Sequence, residues 1–362
     1  MTKQDHYSVL GLMSGTSLDG LDLAFCFFQY QQNGWTFSLE NTASVEYSSS
    51  RREQLKNSIN LSSVDLLLLN VEYGRWLGNQ VKEFIESRNI NVDFVSSHGH
   101  TVFHQPEKRL TYQIGCGQEL ANICGLQVFA DFRSLDVSLG GQGAPLVPIG
   151  DQLLFPQYDF CLNLGGIANT SFQVDGQRVA YDISPANMLL NHLSAQMGQT
   201  YDKSGEVARS AKLNKKLLSQ LNALAYYQQP YPKSLGYEWF IEQIVPLVEA
   251  STISKPDKLC TSVHHIAAQI SKDLLRHNPG TNSKLLATGG GAKNTFLIET
   301  LQEYLGESIQ VIIPDISIVD FKEAMVFAFM GVRRKRNEIN CLKSVTGASK
   351  DSSSGVIYLP YE

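Results

Sequence analysis

The chain has 362 residues, of which 43% are hydrophobic and 18% are charged, and its formal net charge is -5. These values are typical of a globular protein with one large core or, more often at this length, two domains. A net negative charge gives no electrostatic footprint for nucleic acid, and the basic cluster Arg333–Arg336 has the pattern of a solvated helix end. We therefore expect small molecules, and neither nucleic acid nor a membrane, as partners.

Cysteine usage and hydropathy predict a cytoplasmic location. No apolar run approaches the roughly 20 residues that a bilayer crossing needs, and the chain enters a predicted strand soon after its first residues. The cysteines are scattered without a CxxC pair, as in reduced cytosolic proteins, so the sequence predicts no disulfide framework and no zinc site. They are Cys26, Cys116, Cys124, Cys161, Cys260 and Cys341.

The first elements in chain order form a predicted three-stranded meander. Apolar runs at 9–13 and 21–28 are the first two strands, and a third at 35–39 follows a turn at Asn33–Gly34. The turn at 14–20 is rich in glycine, serine, threonine and aspartate, so its backbone amides are not covered by bulky side chains. Such a turn can wrap an anion. An ordinary polar hairpin loop is the alternative interpretation.

A long helix and a buried strand complete this first region. A capping signature at Ser62–Asp65 precedes apolar residues at helical spacing. The strand Val92–Ser97 then ends in His98 and Gly99, at the carboxyl end where open α/β sheets hold ligands. The apolar positions of the helix are Leu66, Leu69, Tyr73, Leu77 and Val81.

The second half of the chain repeats this order of elements. An apolar strand at 160–166 runs into a glycine turn, and strands at 168–174 and 178–183 complete a second meander. A helix at 258–276 then precedes a strand at 284–291 that again ends in glycines. The order of elements and the placement of the turns indicate that the two halves are divergent copies.

Glycine turns at the strand ends predict a nucleotide site. The glycines at 289–291 follow a buried strand and precede a helix near Asn294, and backbone amides at a helix entrance suit a nucleotide. A plain tight turn is the alternative. The sequence contains no GxxxxGK[ST] string, which excludes a Walker-type loop as the ATP site.

This duplicated arrangement resembles the superfamily of sugar kinases, heat-shock protein 70 and actin. In that superfamily one glycine hairpin of each lobe embraces the phosphates of ATP, and a later glycine turn supports the adenosine. The resemblance implies an α/β, two-lobed actin-like ATPase fold, with duplicated mixed-sheet domains, helices on both faces and an interlobe cleft. We expect an N-terminal lobe at 1–135 and a C-terminal lobe at 136–362, whose last segment could return to the N-terminal lobe.

Six strings, in order, resemble one family of that superfamily, the anhydro-N-acetylmuramic acid kinases. They are GLMSGTSLDGLDLAF (11–25), SSHGHTVFHQP (96–106), ADFRSLDVSLGGQGAPLVP (130–148), LNLGGIANTSF (162–172), YPKSLGYEWF (231–240) and LLATGGGAKN (285–294).

The resemblance implies a two-part reaction on 1,6-anhydro-N-acetylmuramic acid in peptidoglycan recycling and amino-sugar catabolism. Water opens the anhydro bridge, and the released 6-oxygen takes the γ-phosphoryl group of ATP, giving N-acetylmuramic acid 6-phosphate and ADP. Magnesium is expected from phosphoryl-transfer chemistry in general, and family members tend to be homodimers. Two alternatives stay open: a kinase of the same fold for another amino sugar or hexose, and a noncatalytic sugar or nucleotide sensor.

Asp182 is the predicted catalytic base. It ends the alternating strand RVAYD, at the carboxyl tip of that strand, and the family resemblance selects the same residue. Capping of the following helix is the alternative role. The chain reads DISPAN where many family members have DTGPGN, and the loss of two glycines is expected to stiffen this turn. The exact sugar preference therefore stays open.

The predicted ATP ligands belong to the three glycine turns. Asp19 is also the predicted magnesium ligand, directly or through water, and Asp22 is a second candidate. Hydrogen bonding of these carboxylates within their own turn is the alternative. The predicted ATP-binding residues are Gly15, Thr16, Ser17, Leu18, Asp19, Gly20, Leu21, Asp22, Asn163, Gly165, Gly166, Gly289, Gly290, Gly291 and Asn294.

Arg133 is the strongest candidate for an anion ligand on the sugar side. It is the only arginine of its glycine-rich loop, and a planar guanidinium matches the lactyl carboxylate of muramic acid. A salt bridge to Asp131 or Asp136 is the alternative. Glu323 is either an ordinary first-turn carboxylate or, as the family favours, a sugar ligand. The predicted substrate-binding residues are His98, Arg133, Asn187 and Glu323.

Overall fold

The computed structural model describes residues 5–15, 18–32, 34–277 and 280–361. The chain divides into two compact units. Unit 1 comprises Met1–Phe155 and Phe321–Glu362, and unit 2 comprises Pro156–Asp320. Among the described residues, no helix is both long enough and apolar enough to cross a bilayer.

Unit 1 is built on a six-stranded mixed sheet in the order β13-β7-β4-β1-β2-β3. The strands β1, β2 and β3 form an antiparallel meander, and β4 and β7 continue the sheet in parallel with β1. Its strands are β1 (His6–Ser14), β2 (Gly20–Gln31), β3 (Gly34–Glu46), β4 (Phe94–Ser97), the separate hairpin β5 (His100–Gln105) and β6 (Leu110–Ile114), β7 (Val128–Ala130) and β13 (Val356–Tyr358). Its helices are α1 (Ser49–Asn57), α2 (Ser63–Arg88), α3 (Gly117–Cys124), α4 (Ser134–Ser138), α5 (Pro148–Leu154), most of α13 (Ile316–Lys335) and α14 (Lys343–Thr346).

Local signals set the bounds of the long helix α2, as the sequence predicts. The Ser62 hydroxyl accepts a hydrogen bond from the Asp65 amide at 3.2 Å and donates to the Asp65 carboxylate at 2.6 Å, which is a reciprocal cap. The helix ends at Asn89, whose φ of 49° lies in the left-handed region. Its apolar face packs with the sheet in the core of unit 1.

Unit 2 repeats the same topology with a five-stranded sheet in the order β10-β9-β8-β11-β12. Again a meander comes first, and β11 and β12 follow in parallel with its first strand. Its strands are β8 (Phe160–Leu164), β9 (Ile167–Val174), β10 (Gln177–Pro185), β11 (Ser283–Thr288) and β12 (Ile309–Ile312). Its helices are α6 (Asn187–Ala195), α7 (Glu206–Arg209), α8 (Lys215–Asn222), α9 (Tyr237–Trp239), α10 (Val245–Ala250), α11 (Lys255–Leu275) and α12 (Thr295–Leu305). The predicted α/β fold with duplicated mixed sheets is confirmed.

The boundaries of the two units differ from the predicted division at 135/136. The segment 136–155 belongs to unit 1, and β13 near the C-terminus pairs with β7 of the same unit. A buried hydrogen bond explains this placement, because the Thr346 hydroxyl donates to the Asp136 carboxylate at 2.8 Å. The predicted turn residue Asn33 lies outside the described residues.

Helix α13 lies directly against the strands of unit 1. A methyl group built on Gly11 of β1 would lie 2.0 Å from the Ala324 carbonyl oxygen, and one on Gly331 would lie 2.8 Å from the Ser96 side chain. The Ser96 hydroxyl also donates to the Phe327 carbonyl oxygen at 2.5 Å. Glycine is therefore required at both positions by the close approach of the helix backbone to the sheet.

We expect Gly11→Ala to lower the free energy of unfolding by about 3 kcal/mol, because the added methyl group overpacks the interface between β1 and α13. Urea denaturation measures this change. Gly280→Ala is the matched control, since a methyl group there meets no atom within 4 Å. A Gly11→Ala protein as stable as the wild type would contradict the packing described here.

Candidate functional site

Three parallel strands of unit 1 end at one edge of its sheet. In register, Leu12 of β1 lies beside Ser97 of β4, and Ser96 lies beside Phe129 of β7. The residues that follow these strands, Gly15, His98 and Arg133, are therefore brought to the same edge. The ligand sites of open α/β sheets lie at this carboxyl edge.

A cavity of about 420 Å³ opens at this edge, a volume in the range of small-molecule sites. Its lining carries four carboxylates and one guanidinium, so its charge is strongly negative. The predicted residues Gly15, Asp19, Gly20, Asp22 and Glu323 are all part of it. Among the described residues, the lining consists of Met13, Gly15, Asp19, Gly20, Asp22, Ser44, Glu46, Arg52 and Glu323.

Leu18 and Leu21 of the first glycine turn do not line this cavity. Leu21 is only 1% exposed and packs in the core of unit 1. Leu18 has a φ of 60°, and its carbonyl oxygen accepts a hydrogen bond from the Arg52 guanidinium at 3.1 Å. Thr16 and Ser17 lie outside the described residues.

Glu323 stands inside α13, which begins at Ile316, and not in the first turn of a helix as predicted. Its side chain is exposed and lines the cavity. The protein around it partly desolvates the carboxyl and raises the pKa of Glu323, and the nearby charges of Arg133 and Lys322 oppose the rise. A carboxyl with a raised pKa can accept or donate a hydrogen bond at a sugar hydroxyl.

His98 and Arg133, predicted separately as sugar ligands, hydrogen bond to each other. The Arg133 Nε and Nη2 atoms donate to His98 Nε2 at 3.0 and 2.8 Å, and Arg133 Nη1 donates to the Gly143 carbonyl oxygen at 2.6 Å. The other ring nitrogen of His98 faces the Gly99 carbonyl oxygen at 2.9 Å, so it carries the proton of a neutral imidazole. Burial and the Arg133 charge hold the pKa of His98 well below its usual range.

The predicted alternative for Arg133, a salt bridge to Asp131 or Asp136, is absent among the described residues. Asp136 instead accepts from the Gly143 amide at 2.8 Å, and so fixes the loop that receives Arg133. Three of the five guanidinium N–H groups are used by His98 and Gly143. The other two have no partner in the part of the chain that the structure describes, and they are free to bind an anion.

A chain of hydroxyl groups ends at Ser14, the last residue of β1. The Tyr47 hydroxyl donates to Ser14 Oγ at 2.7 Å and contacts the Tyr73 hydroxyl at 2.7 Å. Ser14 Oγ lies 3.0 Å from His100 Nδ1, which must be unprotonated to accept from it. Burial lowers the pKa of His100 to about 4. The base of the first glycine turn is therefore held by neutral groups.

In unit 2, four strands align their functional residues in one row. Asp182 of β10 and Asn163 of β8 both lie beside Asn169 of β9, and Asn163 lies beside Thr288 of β11. Because β8, β10 and β11 run in the same direction, the two glycine turns and Asp182 share one edge of the sheet. The predicted base and the predicted phosphate turns of unit 2 are thus brought together.

The glycines of these turns fall into two groups. A methyl group on Gly289 or Gly291 would lie within 3.0 Å of protein atoms, so packing requires glycine there. A methyl group on Gly165, Gly166 or Gly290 would meet protein atoms only at ordinary contact distances of 3.5 Å or more. The fold therefore leaves room for a small group at these three positions, and Gly166 and Gly290 are exposed, which fits the close approach of a phosphate or ribose.

Asn187 and Asn294 make structural contacts beside these turns. The Asn187 amide group donates to the Leu164 carbonyl oxygen at 2.9 Å, and the Asn187 backbone amide donates to the Gly165 carbonyl oxygen at 3.1 Å. Asn294 caps α12, since its side-chain oxygen accepts from the Leu297 amide at 3.0 Å. Both side chains hold the shape of the glycine turns.

Asp182 does not cap α6, whose N-cap residue is Ala186. Its Oδ2 atom accepts from the Ser234 hydroxyl at 3.0 Å and from the Leu235 amide at 2.9 Å, while Oδ1 has no hydrogen-bond partner among the described residues. Burial raises the pKa of Asp182, and the two hydrogen bonds oppose the rise. A carboxylate with one fixed and one open oxygen can take a proton from water.

Sequence reasoning missed the groups that hold Asp182. Besides Ser234 and Leu235, the Tyr226 hydroxyl donates to the Asp182 carbonyl oxygen at 2.7 Å. The only sequence signal was the string YPKSLGYEWF, which supported the family resemblance without suggesting a role for its residues. Ser44, Glu46 and Arg52 in the cavity of unit 1 carried no signal at all.

Comparison with known proteins places this chain in a class of phosphotransferases. The sequence profile of the anhydro-N-acetylmuramic acid kinases matches residues 7–360. Proteins with that name from Aliivibrio fischeri and Vibrio cholerae are each 35% identical to this chain, over 96% and 97% of it and 98% of their own lengths. The chain belongs to the anhydro-N-acetylmuramic acid kinase family.

A solved structure, the activator of the 2-hydroxyisocaproyl-CoA dehydratase from Clostridium difficile with bound ADPNP, is similar at a TM-score of 0.44 and 12% identity. The similarity covers 91% of this chain and 97% of that one.

We expect the stability of the protein to fall by about 2 kcal/mol through His100 alone when the pH is lowered from about 7 to about 5. In the unfolded state His100 is protonated near the usual histidine pKa, whereas in the folded state it is protonated only near a pKa of about 4. The stabilising contribution of the neutral His100 is therefore fully present at neutral pH and is lost as the pH falls.

Urea denaturation at both pH values measures this effect as the difference between the wild type and His100→Gln. The variant should lose less stability on acidification. His6→Gln, at an exposed histidine, is the matched control and should behave like the wild type. An identical pH dependence in His100→Gln and the wild type would contradict the neutral, buried His100.

Proposed function

We propose that the chain is an ATP-dependent kinase that hydrolyses the 1,6-anhydro bond of 1,6-anhydro-N-acetylmuramic acid and phosphorylates the 6-oxygen. One water, one anhydro sugar and one ATP give N-acetylmuramic acid 6-phosphate and ADP. The hydroxide of the water forms a bond to the anomeric carbon while the bond from that carbon to O6 breaks. O6 then forms a bond to the γ-phosphorus as the bond to ADP breaks.

The geometry of Asp182 is the single observation that carries this proposal. A simple sugar kinase needs no base for a water, whereas ring opening needs one with a pKa raised toward neutrality. Asp182 meets this need, because burial raises its pKa while Ser234 and Leu235 fix one oxygen and leave the other open. In the proposed reaction Oδ1 takes the proton that the attacking water releases.

The glycine turns support the proposed binding of ATP, which supplies the phosphoryl group. In unit 2, Gly166 and Gly290 are exposed, and neither they nor Gly165 would bring a methyl group closer than 3.5 Å to another protein atom. Phosphoryl transfer needs alignment and neutralisation of charge more than covalent chemistry from the protein. Asn294 and the tightly packed Gly289 and Gly291 hold the third turn in shape.

The charge of the unit 1 cavity supports a role for Mg²⁺. A triphosphate beside four carboxylates is repelled unless a cation lies between them. Among the described residues, no three histidine, cysteine, aspartate or glutamate side chains are grouped to hold a metal. Mg²⁺ keeps several waters and is bound through one or two carboxylates and substrate phosphates. We propose that Asp19 holds it, directly or through water.

Arg133 is the proposed ligand of the lactyl carboxylate, oriented by His98. The neutral His98 accepts hydrogen bonds from two N–H groups of the Arg133 guanidinium. These bonds fix the direction of the two N–H groups that have no partner among the described residues. Glu323, at the same sheet edge, is the proposed partner of sugar hydroxyls. Asn187 supports the proposed site through the glycine turn that it holds. A homodimer stays a prediction from the family resemblance, and a cytoplasmic location stays one from cysteine usage and hydropathy.

We expect Asp182→Asn to lower kcat for 1,6-anhydro-N-acetylmuramic acid by about a hundredfold or more, because an amide cannot take the proton of the water. A coupled ADP assay measures turnover, and calorimetry should show unchanged nucleotide affinity. Asp175→Asn makes the same substitution at an exposed turn of the same hairpin, so it should keep full activity. Near-normal turnover in Asp182→Asn would remove the proposed base.

We expect Arg133→Ala to raise KM for the anhydromuramic sugar about tenfold or more, through loss of a charge-assisted pair of hydrogen bonds. The KM for ATP should not change. The anhydro sugar of N-acetylglucosamine, which lacks the lactyl carboxylate, should be affected much less. Arg75→Ala, at an exposed salt bridge, is the control. An unchanged KM in Arg133→Ala would exclude this role.

A further inference from the structure

The segment 231–235 is a loop in which the side chains of Lys233 and Leu235 are buried. Tyr231, Pro232 and Ser234 are exposed, whereas the Lys233 side chain is only 3% exposed. A lysine is almost never buried to this extent unless it is paired. Ser234 and Leu235 contact the proposed base, but Lys233 has no role in the proposed reaction. The burial of Lys233 therefore needs a separate explanation.

Three groups of unit 2 enclose the Lys233 ammonium. Its Nζ atom lies 3.6 Å from Asp273 Oδ1, and Asp273 is itself 2% exposed. The same atom lies 5.6 Å from the ring centre of Tyr181 and 4.9 Å from that of Tyr226, within the range of cation–π attraction. The Tyr181 hydroxyl donates to Asp273 Oδ2 at 2.7 Å, which fixes the carboxylate that receives the lysine.

The anchored segment contacts Asp182 through three consecutive residues. The Lys233 carbonyl oxygen accepts from the Asp182 amide at 3.3 Å. Ser234 Oγ and the Leu235 amide then supply the two hydrogen bonds to Asp182 Oδ2. The loop has no helix or strand of its own between 229 and 236. Its position over Asp182 therefore depends on the side chains that it inserts into the unit.

We propose that Lys233 is a positioning residue that, through its contacts with Asp273, Tyr181 and Tyr226, holds Ser234 and Leu235 on the carboxylate of Asp182. This inference rests on the proposed role of Asp182 as the base. Lys233 does not touch the reacting atoms in this arrangement. It sets the ionisation and the orientation of the group that does.

The expected effect has a definite sign. Burial alone favours a protonated Asp182, and the two hydrogen bonds favour its ionised form. If these hydrogen bonds are lost while the carboxyl stays buried, the pKa of Asp182 rises further. The base is then protonated over a wider pH range, so the acidic limb of the kcat/KM profile moves to higher pH. The titratable and charged groups around Asp182 are Tyr226, Tyr181, Lys233, Asp273, Arg276 and His277.

Lys233→Met is the direct test. We expect the acidic limb of kcat/KM to move up by about half a pH unit or more, and kcat to fall. Arg276→Met is the matched control, because Arg276 pairs with the same Asp273 oxygen at 3.2 Å and its other hydrogen bond among the described residues goes to the Tyr227 carbonyl oxygen. It removes a cation from Asp273 without touching the loop, so its acidic limb should not move.

A double variant separates positioning from a direct effect of the lysine charge. Ser234→Ala removes one of the two donors, so alone it should move the limb in the same direction. If Lys233 acts through the loop, Ser234→Ala should add little in a Lys233→Met background. Fully additive shifts would overturn the positioning role.

A titration without substrates keeps this test independent of the proposed function. In protein labelled with carbon-13 at the aspartate carboxyls, the resonance that disappears in Asp182→Asn reports the ionisation of Asp182 directly. Its midpoint should rise in Lys233→Met and stay in place in Arg276→Met. If the wild type fails to turn over the anhydro sugar, the proposed function fails, while this titration still decides the role of Lys233.

Folded Lys233→Met protein with an unchanged limb and an unchanged Asp182 titration would overturn the inference. If Lys233→Met does not fold, Asp273→Asn takes its place, since it keeps the lysine and removes the charge that anchors it. The Asp182 midpoint should rise in that variant also, and an unchanged midpoint there would equally overturn the inference.

Discussion

In both units, the parallel pairing between the first strand of a meander and a strand beyond a long helical segment is the constraint on which the site depends. This pairing brings strand ends that are far apart in sequence to one edge of the sheet. In unit 1 it places the turn after β1 beside His98, and in unit 2 it places the turn after β8 beside Thr288. The glycine turns are near functional side chains because the strands run in the same direction.

At the carboxyl edges of the two sheets, the protein orients charged side chains through hydrogen bonds with uncharged groups. Arg133 is oriented by an uncharged imidazole, and Asp182 by a hydroxyl and a backbone amide. Neither group is neutralised by a salt bridge among the described residues. Each therefore keeps its charge or its proton affinity available to a ligand, while its direction is fixed. This is the state that binding of a carboxylate and activation of a water both need.

Glycine serves two purposes in this chain, and only the structure separates them. Gly11 is required because a helix backbone lies against it, whereas Gly166 and Gly290 are exposed and have room for a small group. In the sequence these glycines look alike, since each follows or lies within an apolar strand. The open positions mark where a ligand can approach the backbone, and the packed ones mark where the fold is tight.

Local patterns in the sequence were enough to predict the elements and their repeated order. The cap at Ser62, the apolar alternation of the strands and the glycine at each turn act within a few residues, so they can be interpreted without knowing the fold. They also placed His98 directly after a strand. Asp182, predicted to end its strand, instead lies within β10, which continues to Pro185. The six family strings gave the family itself.

Which side chains meet was decided only by the tertiary structure. Arg133 pairs with His98 and not with the aspartates of its own loop, and Asp182 is held by a segment that begins about fifty residues later. The division of the chain after Phe155, and its return to unit 1 at Phe321, likewise follow from long-range contacts. The physical reason is that a hydrogen bond needs its two atoms within about 3 Å. Residues far apart in sequence reach that distance only when the strands and helices have packed.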